Sequence, residues 1–153
     1  MTFRFSVLIA AAGSAALLLG ALGFQFIGGL APCHLCLLQR WPHLAAIAIG
    51  ALAIATQQRI FALFGALAAA ITAGIGIYHT GVERGIFEGP TTCTSGPPGS
   101  LSSEQLFDKI MNAPLIRCDE VAWQMLGLSM ASWNAIISLI LVGFWLYAFK
   151  RSR

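Results

Sequence analysis

Four cysteines carry the reactive chemistry available to this 153-residue chain. Cys33 and Cys36 form a C-x-x-C pair within Pro32-Cys33-His34-Leu35-Cys36-Leu37-Leu38-Gln39-Arg40, directly against an apolar run. One thiol of such a pair can attack a bound disulfide while the other resolves the mixed species. Cys93 and Cys118 stand far apart in a stretch rich in glycine and proline, where Cys93 is expected on irregular backbone. Zinc would favour two close-spaced ligand pairs, and only one is present, so no metal is expected. A stapling role fits poorly too, because a C-x-x-C bridge closes so small a loop that it adds little restraint. Redox exchange is the chemistry this spacing favours.

These thiols are positioned by a chain too apolar to be a soluble domain. It is 58% hydrophobic and 10% charged, which leaves too few polar residues to cover a water-facing surface. We expect an all-α membrane protein, a single domain over 1–153, with spans at about 5–27, 37–56, 60–79 and 133–149. The net charge of +3 comes from scattered basic residues at the ends of apolar runs, which argues for bilayer orientation and against nucleic acid. The first run is too long for the h-region of a signal peptide and is expected to be a span. Four crossings put both termini on one side, together with Arg4, Arg59, Lys150 and Arg151, and the positive-inside rule makes that side cytoplasmic. The loops at about 28–36 and 80–132 then face outward and contain all four cysteines, in a compartment where disulfides persist.

Local signals refine this topology. From Trp41 to Thr56 a helix would be only about 24 Å long, short of a hydrocarbon core of roughly 30 Å. A start nearer Cys36 gives a comfortable length, whereas Pro42 favours a start at Trp41 or a kink. If the segment is helical from Cys36, Arg40 falls one turn on and can favour a thiolate there; the alternative is a plain interfacial anchor beside Trp41. His79, at the exit of the third span, is either a proton donor to a lipid-soluble acceptor or a capping residue. His34 is expected only to tune the pair. Ala16 and Gly20 have the spacing of a close helix contact. Ser102 with Gln105, and Leu101 with Leu106, mark a short amphipathic surface helix in the long loop. Ser132 is a candidate N-cap for the last span, with Trp123, Trp133 and Asn134 at the interface.

Taken together, Pro32-Cys33-x-x-Cys36 with Arg40, the exit Tyr78-His79-Thr80-Gly81, the lone Cys93 and Cys118, and the run Trp123-Gln124-Met125-Leu126-Gly127-Leu128-Ser129-Met130 with Trp133 resemble the disulfide bond formation protein B (DsbB) family over nearly the whole chain. The resemblance implies a multi-pass protein of the bacterial inner membrane, with periplasmic cysteine loops, that reoxidises a DsbA-like thioredoxin-fold partner. It implies redox pairs Cys33/Cys36 and Cys93/Cys118. The partner's thiol would attack at Cys93, Cys118 would then attack Cys33, and Cys36 would be freed beside a quinone, ubiquinone or menaquinone, with Arg40 and His79 as its contacts. Two departures stand out: Pro42 follows Arg40 closely, and Gln39 is neutral where some relatives carry an acid. Two other functions stay open on the residues alone. One is a reductase running the opposite way, as in quinone or vitamin K epoxide reductases; the other is a non-catalytic scaffold stapled by disulfides.

Overall fold

The computed structural model describes residues 2–90 and 117–151. Four long helices make up the bundle: α1 (Phe3–Phe26), α2 (His34–Thr56), α3 (Ile60–Glu83) and α4 (Met130–Arg151). Each is long and apolar enough to cross a membrane. Each packs on its sequence neighbour, and α4 closes the ring against α1, so the architecture is an up-and-down four-helix membrane bundle. Large side chains such as Leu19, Leu67 and Ile140 point outward, as expected when lipid rather than water is the outer solvent.

The second helix departs most from expectation. It begins at His34, upstream of both starts considered from sequence, with Cys33 as its N-cap and the Cys36 amide donating to the Cys33 sulfur at 3.2 Å. Pro42 lies inside it without ending it. A proline removes one backbone donor and crowds the preceding turn, and neighbouring helices can satisfy the carbonyls affected. Thr72 of α3 donates its hydroxyl to the Gln39 carbonyl at 3.1 Å, next to the Leu38 carbonyl that the proline leaves without its helical donor.

Small residues set the packing, but not those singled out above. Gly20 is exposed with open space around it, and Ala16 is exposed as well. Close approach occurs instead at Gly13, where a Cβ would lie 2.6 Å from Leu141, and at Gly65, where it would lie 2.6 Å from the Trp145 ring. Which face of an alanine- and glycine-rich helix turns inward is decided by its partners, because nearly every face of α1 is small or apolar.

Before α4 the chain forms a two-residue hairpin, β1 (Gln124–Met125) against antiparallel β2 (Leu128–Ser129). Leu126 and Gly127 turn it with positive φ at both positions, the geometry of a tight two-residue connection. The Trp133 indole donates to the Met125 carbonyl at 3.1 Å and Trp123 packs on Phe24, which ties the hairpin to α4 and α1. Capping of α4 falls to Ser129, whose hydroxyl accepts from the Ser132 amide at 3.2 Å. Ser132 is not the cap; it is buried and linked to Ser129 and Thr80. The amphipathic helix expected around Ser102–Leu106 lies outside the described residues.

Candidate functional site

The N-terminal end of α2, the C-terminal end of α3 and the segment around Cys118 converge at one end of the bundle. Cys33, Leu35, Val82 and Cys118 form a buried cluster there, with Cys36 packed against it. Capping by a cysteine brings Cys33 back over the first turn, so its sulfur reaches Cys36 Sγ at 2.8 Å. Both thiols are free, whereas Cys118 is disulfide-bonded. The Cys33 thiol is pushed well above the ordinary thiol range, first by its hydrogen bond to the Cys36 sulfur and then by burial.

His79 sits at the centre of this end. Its Nε2 is 3.6 Å from Cys33 Sγ and 3.9 Å from a Glu83 carboxylate oxygen, its Nδ1 is 3.0 Å from Gln39 Nε2, and the ring is hydrogen-bonded to the backbone of Cys118. The ligand-capable atoms of Cys33, Cys36 and His79 lie within 4.8 Å of one another. Glu83 is held from the other side by the Ser129 hydroxyl.

Arg40 occupies a different face. Its guanidinium reaches across to α1, donating to Gln25 Oε1 and, at 3.3 Å, to the Ala21 carbonyl, while its Nε is buried without a partner among the described residues. Of the residues singled out from sequence, then, the structure gathers Cys33, Cys36, His79 and Cys118, and places Arg40 beside α1. Cys93 lies outside the described residues.

Sequence reasoning missed the polar chain beneath the thiols. Gln39, Thr72, Asn134, His43 and Ser138 join α2, α3 and α4 through side-chain hydrogen bonds, so Asn134 faces into the bundle and not the interface. A signal was present, since polar residues inside an apolar span usually turn toward the bundle interior.

The family model described as disulfide bond formation protein DsbB matches residues 3–148. The chain belongs to the DsbB family. The disulfide bond formation protein B of Methylococcus capsulatus is 38% identical over 138 residues, covering 85% of this chain and 84% of that one. Its counterpart in a Shewanella species is 31% identical over 139 residues, covering 87% and 79%. An uncharacterized protein of Rickettsia prowazekii is 30% identical over 127 residues, covering 78% and 72%. No solved structure matches significantly. Membership in the DsbB family makes this a multi-pass membrane protein of disulfide bond formation, a disulfide oxidoreductase by kinship. The cysteine cluster fits a redox centre of that kind.

Proposed function

We propose that the protein is a thiol:quinone oxidoreductase that reoxidises a DsbA-like thioredoxin-fold partner in the periplasm and delivers the electrons to a quinone of the inner membrane. The observation that carries this reading is the packing of disulfide-bonded Cys118 into the same buried cluster as the free Cys33/Cys36 pair. Sulfur centres gathered in one cluster can pass a disulfide between them once a thiolate lines up with a sulfur–sulfur bond.

In this reading the partner's dithiol attacks at Cys93 and leaves oxidised, the Cys93/Cys118 pair taking up two electrons and two protons. Cys118 then attacks oxidised Cys33, and Cys36 departs as the thiolate. Cys93 then attacks Cys118 and Cys33 leaves as the thiolate, which ends the exchange with a reduced Cys33/Cys36 pair and a restored Cys93/Cys118 disulfide. A quinone, when bound, supplies the two-electron sink that closes the cycle. The residues at hand suit such a group: a buried Arg40 N–H lacks an acceptor, and quinone carbonyls are acceptors. Leu37, Leu38 and Trp41 line the outer face of the same turns of α2. Arg40 would hold the carbonyl, and His79 would act on the thiol side.

Orientation follows the basic residues. Arg4, Arg59, Lys150 and Arg151 all lie at the bundle end opposite the thiols, which supports cytoplasmic termini and a periplasmic cysteine end.

The test mixes purified protein with a reduced thioredoxin-fold partner and ubiquinone-1, and follows quinol formation and loss of partner thiols together. The wild type should lose two partner thiols for each quinol formed, and Cys36→Ala should abolish quinol formation while still trapping the partner. Quinone reduction that survives in Cys36→Ala would sink the proposal. Net transfer from quinol to partner disulfide would establish the reverse reaction.

A further inference from the structure

The polar chain under the thiols has an internal logic of donors and acceptors. Gln39 Nε2 lies 3.2 Å from the Leu35 carbonyl oxygen, which can only accept. Gln39 Oε1 lies 2.6 Å from Asn134 Nδ2, which can only donate. The Asn134 amide is oriented in turn, since its Nδ2 faces the Thr72 carbonyl at 3.5 Å and a Thr72 hydroxyl already donating to the Gln39 carbonyl. Its Oδ1 receives His43 Nε2 at 2.8 Å. Backbone carbonyls thus settle both amides, and no flip satisfies them better.

The consequence falls on His79. Gln39 Nε2 approaches Nδ1 of the ring at 3.0 Å as a donor, so Nδ1 must present its lone pair. A neutral imidazole has one N–H, which is then on Nε2. Cys33 Sγ and the Glu83 carboxylate, both able to accept, flank Nε2, and the backbone of Cys118 bonds the same ring.

We propose that Gln39 is a positioning residue for the thiol pair: by holding Nδ1 of His79 as an acceptor, it keeps the only proton of the neutral ring on Nε2, the nitrogen that faces the Cys33 sulfur. This rests on the reading of Cys33 as redox-active and adds a reason why that sulfur differs from its neighbour. Cys33 Sγ then accepts from two donors, the Cys36 amide and His79, while its own proton is directed to Cys36. These donors oppose the rise that the Cys36 sulfur and burial impose on the Cys33 thiol, and they would steady the charge on Cys33 as it leaves a mixed disulfide. Metal ligation through Nε2 is disfavoured by the same arrangement. A ligating Nε2 needs its lone pair, and moving the proton to Nδ1 would point it at the Gln39 amide hydrogens.

The chain has three histidines, so ring nitrogen-15 labelling yields three ring pairs, and the His79 pair is assigned by its loss in His79→Phe. The sample is full-length reduced protein in lipid nanodiscs, without quinone or partner. Expected in the wild type is an unprotonated, hydrogen-bonded Nδ1 and a protonated Nε2 on His79. In Gln39→Met, which keeps the bulk and removes the donor, the Nδ1 resonance should move downfield toward that of a free imine nitrogen. Gln39→Glu should leave Nδ1 carrying a proton, because a carboxylate can only accept. A protonated Nδ1 in the wild type, or a Nδ1 resonance unmoved in Gln39→Met, overturns the proposal. Because no turnover is measured, failure here leaves the thiol oxidase reading intact, and failure of quinone reduction leaves the ring assignment intact.

Discussion

The two ends of the bundle are held together by different forces. At the end away from the thiols, Trp145 is fully buried, with its ring laid against Gly65 and close to Gly50, among Val7, Ala53, Ala62 and Ala69. Contact there is by shape: lipid is as apolar as these side chains, so helices gain mainly through close van der Waals packing. At the thiol end, α2, α3 and α4 are joined by directed hydrogen bonds through Gln39, Thr72, His79 and Asn134. Shape packing tolerates little change of volume and is indifferent to where protons sit. A hydrogen-bonded end specifies proton positions, which is what sulfur chemistry depends on.

The contrast predicts a graded set of effects. Trp145→Ala removes the largest fully buried side chain, and should lower stability by about 3–5 kcal/mol, the usual range for emptying such a site. Unfolding in detergent would show it, and below the new midpoint the thiol chemistry should persist. An unchanged midpoint would mean that the far end is not held by this ring.

Asn134→Leu attacks the other end. It strands Gln39 Oε1 and leaves His43 Nε2 with only the Thr72 hydroxyl at 3.3 Å, yet interhelical hydrogen bonds in membranes contribute modestly, so the expected loss is about 1 kcal/mol. Its effect on thiol–disulfide exchange should nonetheless exceed that of Trp145→Ala. If both substitutions slow exchange equally, once corrected for the folded fraction, the two ends are not distinct in the way described.

The smallest effect belongs to Arg117→Ala. Arg117 hydrogen-bonds Asp119 at 3.0 Å and lies near Glu120 on an exposed segment. Its hydrogen bond to Asp119, ahead of that residue's own backbone N–H and of the Arg117 charge, holds that carboxyl below the usual range. The depressed value means any benefit is present at neutral pH and lost as pH falls through the folded pKa; for a fully exposed pair, no stability change should be measurable. The Asp119 titration, followed by NMR, should move up toward the ordinary carboxylate range, and a large change in unfolding midpoint would show that this segment braces the bundle.

Much of this organisation was legible in the chain itself. Four apolar runs specify four helices because a bilayer leaves a backbone few other ways to satisfy its hydrogen bonds. The ends of α1 and the position of the α2–α3 turn followed from Gly28-Gly29 and Gln57-Gln58-Arg59, where apolar character stops. The start of α2 did not, since proline weighs against a helix locally and the contacts that hold this stretch, such as the Thr72 hydroxyl on the Gln39 carbonyl, come from another element. Gln39 and Asn134 were legible only as isolated polar residues. Their meeting depends on how α2 and α4 are rotated, a matter of which alanines and glycines face inward.

By itself, then, the sequence determined the number of helices, the family and the presence of thiols at one end, because each follows from local composition or from residues close together in the chain. Tertiary structure alone decided which groups those thiols meet: His79 from α3, itself bonded to Gln39 one turn deeper on their own helix, and Cys118 from beyond the long loop. The physical reason is that hydropathy constrains depth in the membrane but not rotation about a helix axis. Rotation is set by the fit of small residues against large ones, and it brings the His79 ring to 3.6 Å from the Cys33 sulfur.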